Sequence, residues 1–316
     1  MEPVVCCVCE KPIVGPPLKM GQRPYCADCL ARVTRNRRSL WWASLVGVGV
    51  LVAFVAVAAL VFAMTQPQLE GLPLIAVAVV LALVPALLWL AIFYLQDVRE
   101  PEPKILVLAV FVLGALLARA VGLPLVQEVF RTGDWIMATP LYHLLGDILI
   151  VGFTGQFLVY AAVRYSVYYA AEFDERVDGI IYGTAAALGY ATVVNIDYVV
   201  QSVQRGGLNL STGTIQVAVT ALAMASFGGV LGYFLGRCKF EDEPAWWMPT
   251  GLVLAAVLHG LFTFFEGEVA TTGVAGGGFT PWWGLLLGAL VAAATFGALF
   301  FLIQRLGRRA PQAGGA

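Results

Sequence analysis

Residues 172–198 read EFDERVDGIIYGTAAALGYATVVNIDY, and the reading of this stretch decides the fold. Glu172, Asp174, Glu175 and Asp178 crowd around Arg176, and from Gly179 onward the only formal charge is Asp197. A polar loop that feeds a long apolar helix is the pattern of a segment entering a bilayer, where only an internally hydrogen-bonded backbone can cross. Asp178 is placed to cap the start of that helix, and Gly179 with Gly183 makes a GxxxG face that lets another helix approach closely. Asn195 lies deeper, where an amide either bridges helices or lines a site. Asp197 falls on a different face, near the outer surface.

Working outward, the same pattern recurs. The chain has 316 residues, 60% hydrophobic and 12% charged, against about 25% charged in soluble domains, so a water-soluble globule is excluded. Apolar runs near 41–64, 72–95, 105–126, 141–170, 178–203, 214–237, 246–267 and 281–304 are each long enough to span the hydrocarbon core. The expected fold is an all-α polytopic membrane protein of about eight transmembrane helices. Arg32, Arg35, Arg37 and Arg38 precede the first run and put the N-terminus inside. Alternation then places Arg99 and Lys104, Arg176, Arg237 and Lys239, and the tail with Arg305, Arg308 and Arg309 inside as well. Both termini are therefore expected in the cytoplasm, with only Arg131 and Arg205 outside. No cleavable signal peptide is expected, because the first forty residues are polar and the first apolar run is too long for one. The net charge of −1 points to no partner, and nucleic-acid binding is not indicated.

Residues 1–31 form a different region. Cys6 and Cys9, then Cys26 and Cys29, have the CxxC…CxxC spacing that brings four thiolates to one tetrahedral zinc. Between them KPIVGPPLKMGQRPY has the Gly and Pro punctuation of a hairpin, and CADCLARVTRNRRSL can run as a helix toward the membrane. A head this small needs such a staple, and four protein ligands leave no open position for catalysis. Cys7 could substitute for Cys6, and Cys238 reads as an ordinary residue at the membrane edge. The expected organisation is a cytoplasmic zinc-ribbon-like module at 1–31, a basic linker at 32–40, the membrane domain at 41–304 and a basic, disordered tail at 305–316. The zinc module is expected to dock a cytoplasmic partner.

Two further segments matter. QDVREPEPK at 96–104 reads as a turn that Pro101 and Pro103 end and that Asp97, Glu100 and Glu102 keep in water. VATTGVAGGGFTPWW at 269–283 joins a mobile-looking glycine run to Trp282 and Trp283, which suit an interface belt. Together with residues 172–198, the EPEP loop and the VLHGLF element at 257–262 resemble the PrsW family of bacterial intramembrane proteases, related to the CAAX-type prenyl endopeptidases, over most of residues 85–265. The head resembles a zinc ribbon or LIM-like module.

The resemblance implies a site in which a carboxylate, helped by imidazoles or a metal, activates water against a membrane-held peptide bond. Aligned back from EFDE, the family's EExxK falls on Gly155, Gln156, Phe157, Leu158 and Val159, so carboxylates and cation are missing. Its histidine ahead of the FG and GY pairs falls on Met224, and the Glu before its Asn on Val194. Asn195, Tyr198 and His259 match. A carboxamide has no dissociable proton near neutral pH, so Gln156 cannot act as general base. The remnant site is thus His259, Asn195 and Gln156, and the expected function is that of a pseudoprotease that binds or regulates transmembrane segments, with zinc in the head and no second metal. The alternative is an active endopeptidase with a rearranged site around His259, Asn195, Asp147 and His143. His143 and Asp147 sit four apart on one face, Glu266 lies seven after His259, and Arg119 is the expected ion-pair partner of Asp147.

Overall fold

A computed structural model describes residues 4–6, 9, 11–13, 15–20, 23–35, 37–65, 67–95, 102–204, 210–272, 286, 290–299 and 301. Among them seven helices are long and apolar enough to cross a membrane: Leu45–Thr65, Gly71–Tyr94, Lys104–Ala138, Pro140–Ser166, Arg176–Gln204, Gly213–Phe240 and Trp247–Gly267, called spans 1 to 7. The eighth expected run contributes the apolar helix Leu290–Leu299. Half of 281–304, with Trp282 and Trp283, lies outside the described residues, as do Cys7, Asp97, Arg99, Glu100, Arg205 and the 305–316 tail.

Span 5 is the axis of the bundle, 83% buried, and span 6 beside it is 72% buried, whereas span 1 is only 6% buried and faces lipid. Glycine makes that axis possible. A Cβ at Gly183 would lie 3.1 Å from Gly232 Cα and overlap the Gly228 carbonyl, and Gly179 meets Gly232 and Gly236 in the same way. The GxxxG face therefore has its partner in span 6, the close backbone approach that replaces hydrophobic driving force inside lipid. On the opposite side Gly189 abuts the Phe111 carbonyl and Gly114 the Ala186 carbonyl, which clamps span 3 to span 5.

Asp178 caps span 5 from inside its first turn. Its Oδ2 accepts the Glu175 N–H at 2.5 Å, the carboxylate half of a capping box rather than an N-cap. Lys239 pins the neighbouring turn by donating to the Tyr168 and Phe173 carbonyls at 2.6 Å each. The 96–104 loop departs from expectation. Glu102 is buried and accepts the Tyr182 hydroxyl, while the Tyr94 hydroxyl donates to the Glu102 carbonyl at 2.8 Å. Glu102 therefore leaves water beside span 5 instead of holding the turn in it.

The head pairs a short antiparallel hairpin, Leu18–Met20 with Arg23–Tyr25, and follows it with the helix Ala27–Arg35. Its small core is Tyr25 with Cys6 and Cys29, flanked by Ile13 and Leu30.

Candidate functional site

Span 4 places Gly155 and Gln156 on the face it turns to span 7. A π-helical stretch, Asp147–Gly152, precedes them and resets the helical phase. Gly152 lies against the Ala256 carbonyl and Gly260 against Ile148, so the two helices meet backbone to backbone on either side of His259. His259 is buried and presents Nδ1 to Gln156 Nε2 at 3.5 Å. A Cβ at Gly155 would stand 2.8 Å from His259 Cε1 and 3.1 Å from Nδ1, with Tyr190 Cε1 at 3.5 Å. Phe227 faces the imidazole at 6.1 Å between ring centroids. The space that a side chain at 155 would need is thus held by His259 and Tyr190. Gln156 is fully buried, and its Oε1 has no hydrogen-bond partner.

The remaining candidates go elsewhere. Asn195 is buried and donates from Nδ2 to the Val217 carbonyl at 3.3 Å, which bridges spans 5 and 6. Tyr198 donates to Gln216 Oε1 at 2.5 Å, and Glu266 faces the same Gln216. Asp197 accepts from Gln127 and Gln201 Nε2, each at 2.7 Å. Met224 is buried where the family carries a histidine. His143 and Asp147 are both buried and pair at 3.2 Å, with His143 packed on Gly267 and Phe264 of span 7. The expected Arg119–Asp147 ion pair is therefore corrected. Arg119 is exposed on the π-helical stretch Ala118–Gly122, and one helical turn already supplies Asp147 with an imidazole. Nine residues separate Asp147 from Gln156, about 13 Å of helical rise. Of the four residues of a rearranged site, His143 and Asp147 pair with each other and Asn195 bonds the Val217 carbonyl, and among the described residues no ion pair joins a carboxylate to His259.

The head brings its four ligands together. The Sγ atoms of Cys6, Cys9, Cys26 and Cys29 all lie within 4.8 Å of one another. Cys9 and Cys26 Sγ are 3.8 Å apart, and the Cys26 N–H donates to Cys6 Sγ at 3.3 Å, a contact that favours a thiolate there. The Cys26 thiol, burial and the other two thiols push Cys29 up to about 12. A divalent ion reverses that logic, because it binds the thiolate. Four sulfurs in this spacing fit a metal.

Seven helices long and apolar enough to cross a bilayer, packed around a buried polar contact, define a multi-pass membrane protein. Residues 102–283 match the PrsW family intramembrane metalloprotease, and the chain belongs to that family. Its relatives include Protease PrsW of Bacillus subtilis (strain 168), 30% identical over 185 residues that cover 57% of this chain and 78% of the relative. Protease PrsW of Geobacillus kaustophilus (strain HTA426) is 28% identical over 231 residues, 72% and 92% of the two chains. No solved structure matches the chain. Among the described residues the donors at His259 are one imidazole and one carboxamide, enclosed by Tyr190, Phe227 and helix backbone, and these do not fit a resident divalent ion, which takes three or more imidazole, thiolate or carboxylate ligands.

Sequence reasoning missed the Glu102–Tyr182 contact, the packing of Tyr190 on Gly155, and Lys239 as an anchor. Glu102 and Tyr182 both stood in quoted motifs, but 80 residues of chain separate them and nothing local pairs them.

Proposed function

We propose that this chain is a non-proteolytic PrsW homologue that binds or regulates membrane-spanning partners, carries zinc in its four-cysteine head, and has both termini in the cytoplasm. The reading rests on the contact between Gln156 and His259. Where the family places a carboxylate that takes a proton from water, this chain has a carboxamide that cannot. Gly155 sharpens the point, since a glutamate there would have to evict the imidazole from its place. What remains is a shaped, buried, polar seam between spans 4 and 7, suited to recognising a helix.

The test is proteoliposome reconstitution with a panel of transmembrane substrates and photocrosslinking from span 4. The expected result is crosslinked transmembrane segments without cleavage products, unchanged by His259→Ala in the cleavage assay. Cleavage by the wild type that His259→Ala abolishes would overturn the proposal.

One observation favours a second reading. His143–Asp147 is a buried imidazole–carboxylate pair, the kind of arrangement that activates water. An active endopeptidase with its chemistry moved to that pair predicts cleavage that Asp147→Asn abolishes and Gln156→Ala leaves intact.

A further inference from the structure

At the basic end of the bundle, the end that the Lys and Arg asymmetry assigns to the cytoplasm, most cations are already neutralised. Arg176 and Arg237 both pair with Glu241, and Arg237 also pairs with Glu243. Lys239 is held by two backbone carbonyls. Arg164, two residues from the end of span 4, is different. Its guanidinium lies 4.0 Å over the Tyr168 ring and 4.7 Å over Tyr169, its Nη1 has no hydrogen-bond partner, and among the described residues no carboxylate pairs with it.

The clamp around it is built. Tyr168 is buried and lies on the turn that Lys239 fastens through the Tyr168 and Phe173 carbonyls, so the ring beneath Arg164 is fixed. Tyr165 and Tyr169 are 79% and 76% exposed, as is expected of aromatics set among headgroups. Arg164 as a residue is half-buried, and Nη1 lies on the buried side of its fork. Flat fork-shaped donors without a counter-ion, backed by aromatic faces at the interface, suit a phosphate oxyanion.

We propose that Arg164, backed by Tyr168 and Tyr169, binds the phosphate of an anionic phospholipid headgroup on the cytoplasmic side. The site lies outside the Gln156–His259 contact, and its fate is independent of whether the chain cleaves anything.

Native mass spectrometry of the full-length protein in non-ionic detergent tests this, with phosphatidylglycerol, phosphatidylcholine or inorganic phosphate added in separate titrations. Phosphatidylglycerol is expected to bind about tenfold more tightly than phosphatidylcholine, and Arg164→Gln to remove that preference. Arg164→Lys keeps the charge without the fork and is expected to retain part of it. Thermal melting of each variant without added lipid separates loss of binding from loss of fold. An undiminished preference in a folded Arg164→Gln variant would overturn the proposal. So would tight binding of inorganic phosphate with no preference between the two lipids, which would make it a free-anion site.

Discussion

The four-cysteine head and the pocket at His259 are two polar sites in one chain, and they differ in what each has kept. In the head, every ligand is present and close, within a fold too small to stand without them. In the membrane, the helices, glycine contacts and imidazole are in place, and the imidazole's polar neighbour in span 4 is a carboxamide. A metal site fails as a unit when a ligand is lost, because the ligands are its fold. The packing around His259 depends on no single polar side chain in that way, because glycine and backbone contact hold it, and neither needs a carboxylate.

The contrast is broken or sharpened by experiments of decreasing size. Replacing Cys26 and Cys29 with serine is expected to take bound zinc from one equivalent to near zero, measured by elemental analysis, and to open the head to limited proteolysis. Structural zinc sites of this kind are worth about 10–16 kcal/mol, so no partial loss is expected. Retention of a full equivalent would place the metal elsewhere and dissolve the comparison. Next, Gly183→Leu drives a side chain into the Gly228 and Gly232 backbone and is expected to destabilise the bundle by about 3 kcal/mol, read as a lower melting temperature in detergent.

Within the pocket itself, Gly155→Ala must displace the His259 ring and is expected to be destabilising by about 2 kcal/mol. A neutral Gly155→Ala would mean that His259 is not held against span 4, and the occluded-site argument would fall with it. Asn195→Ala removes one interhelical hydrogen bond and is expected to lower stability by about 1 kcal/mol with no effect on metal content. The smallest effect is pH-dependent. Burial would raise the Glu241 carboxyl, but the Arg237 and Arg176 guanidiniums outweigh it and hold the group below its ordinary value. An unfolded glutamate titrates near about 4.3. The contribution of Glu241 is therefore complete above that pH and is lost as pH falls through the lower folded value, so Glu241→Gln should flatten the acid limb of the melting profile.

Much of this was legible in advance, for identifiable reasons. Seven of the eight spans expected from hydropathy are helices long enough to cross, because lipid demands continuous apolar helix, and the cysteines were readable because ligand spacing is local. Gly155 and Gln156 were placed by counting back from a motif on the next helix, and the contact with His259 gives that count a geometry. Arg119 misled because a buried acid was matched to the strongest cation in reach of the sequence. The nearer imidazole, one turn away on the same helix, took the role. Glu102 misled because a proline-rich acidic loop looks solvated until a tyrosine 80 residues on reaches it.

By itself the sequence determined that the chain lives in a membrane, how many helices it can offer, that the head carries four thiols in metal spacing, and that two carboxylates are missing. These are properties of composition and of short spacings, which folding cannot alter. Only the tertiary structure decided which groups answer one another: His259 with Gln156, His143 with Asp147, Glu102 with Tyr182, and Arg164 with two tyrosine rings. In a bundle of apolar helices, hydropathy is nearly blind to rotation and register. The glycine contacts along span 5 and the π-helical stretch before Gln156 set both, and with them the partner of each buried polar group.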